Sequence, residues 1–414
     1  MSPIPLASNH PVAWMFWATI LGWYAAVIHV SRPAYAPLTA TPAGLVVLIG
    51  SLLSAFAVYQ ALPLPALRGG ISVQSPVGIL VLPSLSIAPT ATFLAAIRLT
   101  SYIIFFTLAL KVPRLPGRAE KVGSVILFGI AAHALFAILT LKFFNDTNFI
   151  TDKSAFLGKA TGTFINKNSF ATFLGMGVIL GLSLITGKPG QTTNRPTYSI
   201  HVYWHIAIGI IAFALILTQS RMGIAATLVA ATMVLQPRAL QTLALCGAAF
   251  SALGIALLIF GLGVPESFFD VQASAETRIA LYRQIFGMIA DRPLTGFGLD
   301  SFSLAYELYH SPPVTAEFVW DRGHSIYLTL WVEYGVILGS APIVAGIILA
   351  RELRRLARQQ SSPRAMARAG YAALVLCALH SLVDFSLEIQ ANTFLLITLV
   401  ALGLGPTAPP KEQN

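Results

Sequence analysis

Charge is what this sequence has least of. Only 10% of its 414 residues are Asp, Glu, Lys or Arg, while 56% are hydrophobic and the mean hydropathy is +0.75. Soluble domains carry about 25% charged residues, so this chain lacks the means to cover a water-facing surface, and a string of soluble domains is excluded. Cysteine is nearly absent. Cys246 and Cys377 both lie in apolar runs and read as small buried hydrophobes, not as a disulfide or a metal site. No residues show metal-ligand spacing. No Asp-x-Asp pair points to metal-bound nucleotide-sugar chemistry, and no Gly-rich lysine loop points to ATP-driven work.

Long apolar runs are abundant. A helix needs about 20 mostly apolar residues to cross the hydrocarbon core. Runs of that kind occur at 12–30, 43–62, 90–110, 122–141, 168–187, 202–218, 222–236, 239–261, 324–350, 369–387 and 389–405. Residues 76–88 form a shorter apolar stretch broken by Pro76 and Pro83, readable as a re-entrant piece or a further span. The expected fold is an all-α polytopic membrane protein of 11 or 12 spans, because lipid offers no partner to an open strand edge.

The net charge of +10 follows from membrane topology and not from nucleic-acid binding, since the basic residues border apolar spans. Residues 351–368 hold Arg351, Arg354, Arg355, Arg358, Arg364 and Arg368 against Glu352. Residues 111–121 hold Lys111, Arg114, Arg118 and Lys121 against Glu120. Both stretches read as cytoplasmic. The connection 262–323 then falls on the other side. It runs 62 residues without a span and holds eight of the 16 acids. A helical pattern over Glu276–Ala290, with Ile279, Tyr282, Phe286 and Ile289 on one face, and a stop at Asp291-Arg292-Pro293 predict a small folded cap. The chain therefore divides into N-terminal helices 1–261, the cap 262–323 and C-terminal helices 324–414.

Few residues qualify for chemistry. Arg221 sits in a short outer connection, either snorkelling or binding an anion. Arg278 and Arg283 in the cap helix either pair with neighbours such as Glu276 or recognise phosphate, which a guanidinium fork suits. His324 opens a span and is able to take a proton near neutral pH. Glu333 lies nine residues further along. His380 and Asp384 are four apart in the next span, hence on one face, as structural glue or as a proton relay.

The order of motifs resembles the family of O-antigen ligases and related surface-polysaccharide polymerases. It runs Gly162-Thr163-Phe164-Ile165-Asn166-Lys167-Asn168-Ser169-Phe170-Ala171, then Ser220-Arg221, the cap with Arg278 and Asp291-Arg292-Pro293-Leu294-Thr295-Gly296-Phe297-Gly298. His324-Ser325 with Gly335 and Gly339 follows, then His380-Ser381-Leu382-Val383-Asp384-Phe385. The similarity covers roughly 85–405. It implies transfer of a glycan from undecaprenyl pyrophosphate to a hydroxyl of lipid A-core or of a growing polysaccharide, at the periplasmic face of the bacterial inner membrane. The implied chemistry inverts the anomeric centre and needs no metal, ATP or other cofactor. It also implies Arg221 and Arg278 as pyrophosphate ligands, Arg278 with a catalytic part, and His324 as the base or the group that orients the acceptor hydroxyl; Arg283 joins the pyrophosphate ligands on the chemistry of its guanidinium alone. Protein O-glycosylation is a weaker third acceptor option. A transporter is the reading from another class, with Arg98, His133, His380 and Asp384 lining a path, but no paired broken repeats support it.

Overall fold

Backbone groups in hydrocarbon must be satisfied within the segment, so the apolar runs become helices. The computed structural model describes residues 11–31, 41–63, 71–75, 78–114, 117–147, 153, 155–187, 198–235, 271–317, 319–359 and 364–405. In chain order the helices are α1 (Pro11–Ser31), α2 (Pro42–Ala61), α3 (Pro89–Ala109), α4 (Arg118–Phe143), α5 (Lys167–Thr186), α6 (Tyr198–Leu217) and α7 (Arg221–Val234). After them come α8 (Val271–Asp291), α9 (Phe302–Glu307), α10 (Ile326–Gly339), α11 (Ala341–Arg358), α12 (Arg364–His380) and α13 (Gln390–Leu404). Ten of the eleven expected spans fall on these helices. The run 239–261, with Cys246, and residues 262–270 of the cap lie outside the described residues.

The chain is a multi-pass, almost wholly helical membrane protein. Among the described residues, five helices (in α2 to α6) are long and apolar enough to cross a bilayer, and α10 with α11 make a sixth, broken span bent by 74°. The helices α7, α12 and α13 are apolar but shorter. At 14 residues, α7 is about 21 Å long at about 1.5 Å per residue, short of a roughly 30 Å core. Of the stretch 76–88, the described residues 78–88 form neither a span nor a re-entrant helix. Ile71–Ser75 (β1) pairs antiparallel with Gly78–Leu82 (β2), Ile71 opposite Leu82 and Ser75 opposite Gly78. Each strand is paired along one edge, and Ile79 and Val81 are exposed.

The helix α5 is the centre of the bundle, with 83% of its apolar window buried against 22–33% for the other spans. Apolar character alone does not single it out, because the lipid-facing spans are about as apolar as α5. Its Phe170, Leu174, Met176 and Leu180 form one core with α4, α6, α7, α12 and α13. The helices α5 and α12 run antiparallel. At one end Thr172 Oγ1 meets His380 Nδ1 at 2.5 Å; at the other Arg368 Nη2 donates to Thr186 O at 3.1 Å. Leu353 packs with Ala109, Ala367 and Leu404 at that second end, which gathers both basic stretches there. The cap lies at the opposite end.

Within the cap, α8 buries Leu281, Ile285, Met288 and Ile289 against Phe302, Tyr306 and α10. The expected buried face is rotated: Ile279 and Phe286 are exposed. The core beneath α8 is built by the small α9 and the Phe297 turn, which select the Leu281–Ile285–Met288 stripe.

Candidate active site

Two helices begin side by side at the cap end. Asn166 caps α5, its side chain accepting from the backbone N–H of Asn168 at 2.7 Å and of Ser169 at 3.3 Å. Ser220 caps α7, accepting from Gly223 N at 3.3 Å, and it donates to Asn168 Oδ1 at 2.8 Å. Lys167 Nζ donates to Gln219 O at 3.0 Å. Gln219 has φ 54°, which few side-chain-bearing residues adopt. These bonds bring Lys167 and Arg221, each the first residue of its helix, to one mouth.

His324 stands across that mouth. Its φ of 49° is unusual for a non-glycine residue, and such strain is often found at functional sites. Tyr282 of α8 donates its hydroxyl to His324 O at 2.9 Å and to Leu382 O at 3.3 Å. Ile326 N donates to Ser381 O at 3.1 Å. The imidazole lies edge-on between the rings of Trp320 and Phe385. Burial, with Arg278 adding to it, holds the His324 pKa below its ordinary 6.5, against the opposing pull of Asp384 and Asp321. The ring is therefore neutral at neutral pH, and its buried Nδ1 has no protein hydrogen-bond partner. A neutral imidazole in this position is able to accept a proton.

Arg278 lies four residues before Tyr282, on the same face of α8. Its charge reaches His324, His380, Tyr282 and Lys167. Arg221 reaches the same Lys167. Arg278 thus lies within charge range of both Lys167 and His324, and Arg221 within range of Lys167. Arg283 is absent from that set of neighbours. It lies on the exposed side of α8, between the exposed Ile279 and Phe286.

His380 and Asp384 do not share a helical face. The helix α12 stops at His380, and a turn carries Asp384 back toward it. Ser386 Oγ donates to Asp384 Oδ2 and lies 3.5 Å from His380 Nδ1. Asp384 Oδ1 is buried without a protein partner, and Asp384 is the carboxylate that acts on His324, His380 and Tyr282.

Glu333 belongs to a different assembly. It sits in α10 beside Gly335, which breaks the helix at φ 75° and ψ 168°. The Asp291–Gly298 turn fills that break. Phe297 N donates to Val332 O at 2.8 Å, Gly298 N to Glu333 O at 3.0 Å and Val336 N to Pro293 O at 2.7 Å. A Cβ on Gly335 would meet Leu294 C and O at 2.5 Å, and one on Gly296 would meet Glu333 C and O at 2.4 Å. Gln60 of α2 ties both partners together, donating to Thr295 O at 2.7 Å and Glu333 O at 2.8 Å. The Glu333 carboxylate accepts from Phe302 N at 3.4 Å. The motif glycines and Glu333 therefore form a clamp that seats the cap on the broken span. Arg98 is part of the same seat, paired with Asp300 at 3.3 Å. His133 bonds its own helix at Gly129 O. Neither is spent on lining a path through the bilayer.

Sequence reading missed Tyr282, Gln60 and Lys167 as participants. Tyr282 counted as apolar. Gln60 is a polar residue inside an apolar run, which is a signal in itself. Lys167 sits inside the quoted Asn166-Lys167-Asn168 motif.

Fold and site together define a multi-pass, helical membrane protein with a cationic mouth at the end away from its basic loops. Residues 206–343, about a third of the chain, match the family model described as O-antigen ligase. That segment is similar to O-antigen ligase, in agreement with the order of motifs, and the match supports glycan transfer of that general kind. The matched segment holds Arg221, Arg278, the clamp glycines with Glu333, and His324; Gln60, Lys167, His380 and Asp384 lie outside it. A comparison with curated proteins gives no match.

Proposed function

We propose that this protein transfers a glycan from a polyprenyl diphosphate, undecaprenyl pyrophosphate in bacteria, to a sugar hydroxyl at the periplasmic face of the inner membrane. The acceptor is lipid A-core. The observation that carries this reading is the Tyr282 hydroxyl on His324 O. That bond holds the helix bearing Arg278 against a neutral imidazole, beside Lys167 and Arg221.

In the step, the acceptor oxygen bonds to the anomeric carbon as the bond from that carbon to the diphosphate oxygen breaks. The electron pair stays on the diphosphate, and the acceptor's proton passes to the His324 imidazole. Asp384 balances the imidazolium that forms. Arg278 and Arg221 balance the charge developing on the leaving group, an effect worth more in a partly desolvated site than in water. General-base help supplies about 10²–10⁴-fold, and holding both substrates in line supplies much of the rest. Arg283 is the weaker ligand, given its exposure.

A lipid-linked donor is supported by a second feature. An apolar cavity of about 440 Å³ opens between α2, α3 and α10 to α13, lined by Leu53, Tyr102, Phe106, Ile326, Tyr327 and Ser381. Its Ile326–Ser381 rim adjoins His324, so a chain lying in it has its head at the mouth.

Deletion of the gene tests the reading. Loss of the glycan ladder on lipid A-core with accumulation of lipid-linked glycan identifies a ligase. Shortened chains with attachment intact identify a polymerase. Unchanged lipopolysaccharide and capsule overturn the proposal.

A further inference from the structure

The mouth holds more positive charge than the two arginines the sequence singles out. Lys167 is fastened there by its bond to Gln219 O, beside Arg221, and the Ser220–Asn168 bond locks the two helix starts together. Lys159 joins from the loop before α5, held by Ala160 N donating to Leu217 O at 2.9 Å and by Lys153 Nζ donating to Lys159 O at 2.7 Å. The charges that act on Lys167 are three cations: Lys159, Arg221 and Arg278. Among the described residues no acid acts on Lys167, and Asp146 accepts from Lys153 and from Gly158 N.

Resting on the donor reading above, we propose that Lys167, backed by Lys159, is a diphosphate-binding residue, so that Lys159, Lys167, Arg221 and Arg278 form one seat for the leaving diphosphate. Like charges this close repel, and the repulsion is relieved when an anion enters. The helix starts of α5 and α7 add their positive ends. Cleavage leaves the diphosphate with one more ionised oxygen than the donor had. A seat with this much positive charge therefore binds the leaving group more tightly than the donor, which is the differential that accelerates the step. The arginines grip by geometry; Lys167 acts as a point charge on a flexible stem.

Binding of inorganic pyrophosphate and of inorganic phosphate to the full-length protein in nanodiscs tests this, read by isothermal titration calorimetry. The native protein should prefer pyrophosphate. Lys167→Gln should weaken pyrophosphate roughly tenfold or more and narrow the preference over phosphate, whereas Lys167→Arg should retain most of it. Lys159→Gln, which leaves the Gln219 bond intact, should weaken pyrophosphate in the same direction and serves if Lys167→Gln does not fold. Native-like pyrophosphate binding in the Lys167→Gln and Lys159→Gln proteins, with loss in Arg278→Gln, overturns the lysine seat and leaves the donor reading standing. No pyrophosphate binding by the native protein overturns both.

Discussion

The hydroxyl of Tyr282 donates to the backbone carbonyl of His324 at 2.9 Å, across 42 residues of sequence. The cap helix and the start of the broken span are thus joined at a residue with a positive φ of 49°. The contact orders two groups at once, because Arg278 lies one helical turn before Tyr282.

Tyr282→Phe should separate positioning from stability. The lost bond costs about 1 kcal/mol. Misplacement of Arg278 against the imidazole should lower transfer roughly ten- to hundredfold. Thermal unfolding and transfer rates on the same preparation check this; a rate unchanged while Tm falls would assign Tyr282 to stability alone.

The acid limb of activity should depend on Arg278. The imidazole works in its neutral form, so activity is lost as pH falls through the folded pKa of His324, which burial and Arg278 hold below 6.5 while Asp384 and Asp321 oppose them. Removing the cation in Arg278→Gln raises that pKa, and the acid limb of kcat/KM should move to higher pH. A limb that stays put, or moves to lower pH, contradicts the coupling.

Gly335→Ala should loosen the cap. The residue needs φ 75° and would drive a Cβ to 2.5 Å from Leu294 C and O. A backbone at φ 75° and ψ 168° lies in a region kept almost wholly to glycine and costs about 1–3 kcal/mol for a side-chain-bearing residue, so a loss of about 2 kcal/mol or more is expected, read as reduced folded abundance in membranes and a lower Tm.

Gln60→Leu tests the same clamp from α2. The substitution leaves Thr295 O without this donor, at about 1–3 kcal/mol, while Glu333 O keeps its bond from Gly298 N. Protease accessibility of the Asp291–Gly298 turn should rise; unchanged protection would show that the turn is seated without Gln60.

Much of this molecule is legible in its apolar runs, because a span is a local property of composition. The broken span is less so. The run 324–350 reads as continuous, and only the turn inserted at Gly335 explains why a glycine stands there. The pairing of His380 with Asp384 is a correct proximity reached by a wrong route, since the chain leaves the helix between them. The buried face of α8 was misread because apolar residues line both sides of it, and packing against α9 decides which side is covered. Lys167 and Gln60 act through partners 52 and more than 200 residues away, a relation that no spacing within a single segment carries.

The most direct test of the central claim is transfer by the reconstituted protein from a polyprenyl-diphosphate glycan to lipid A-core, compared at equal membrane abundance for the native, His324→Ala and Arg278→Ala chains. Both variants should lose transfer by roughly a hundredfold or more. Native-level transfer by either variant would contradict a reaction centred on the mouth between α8 and α10.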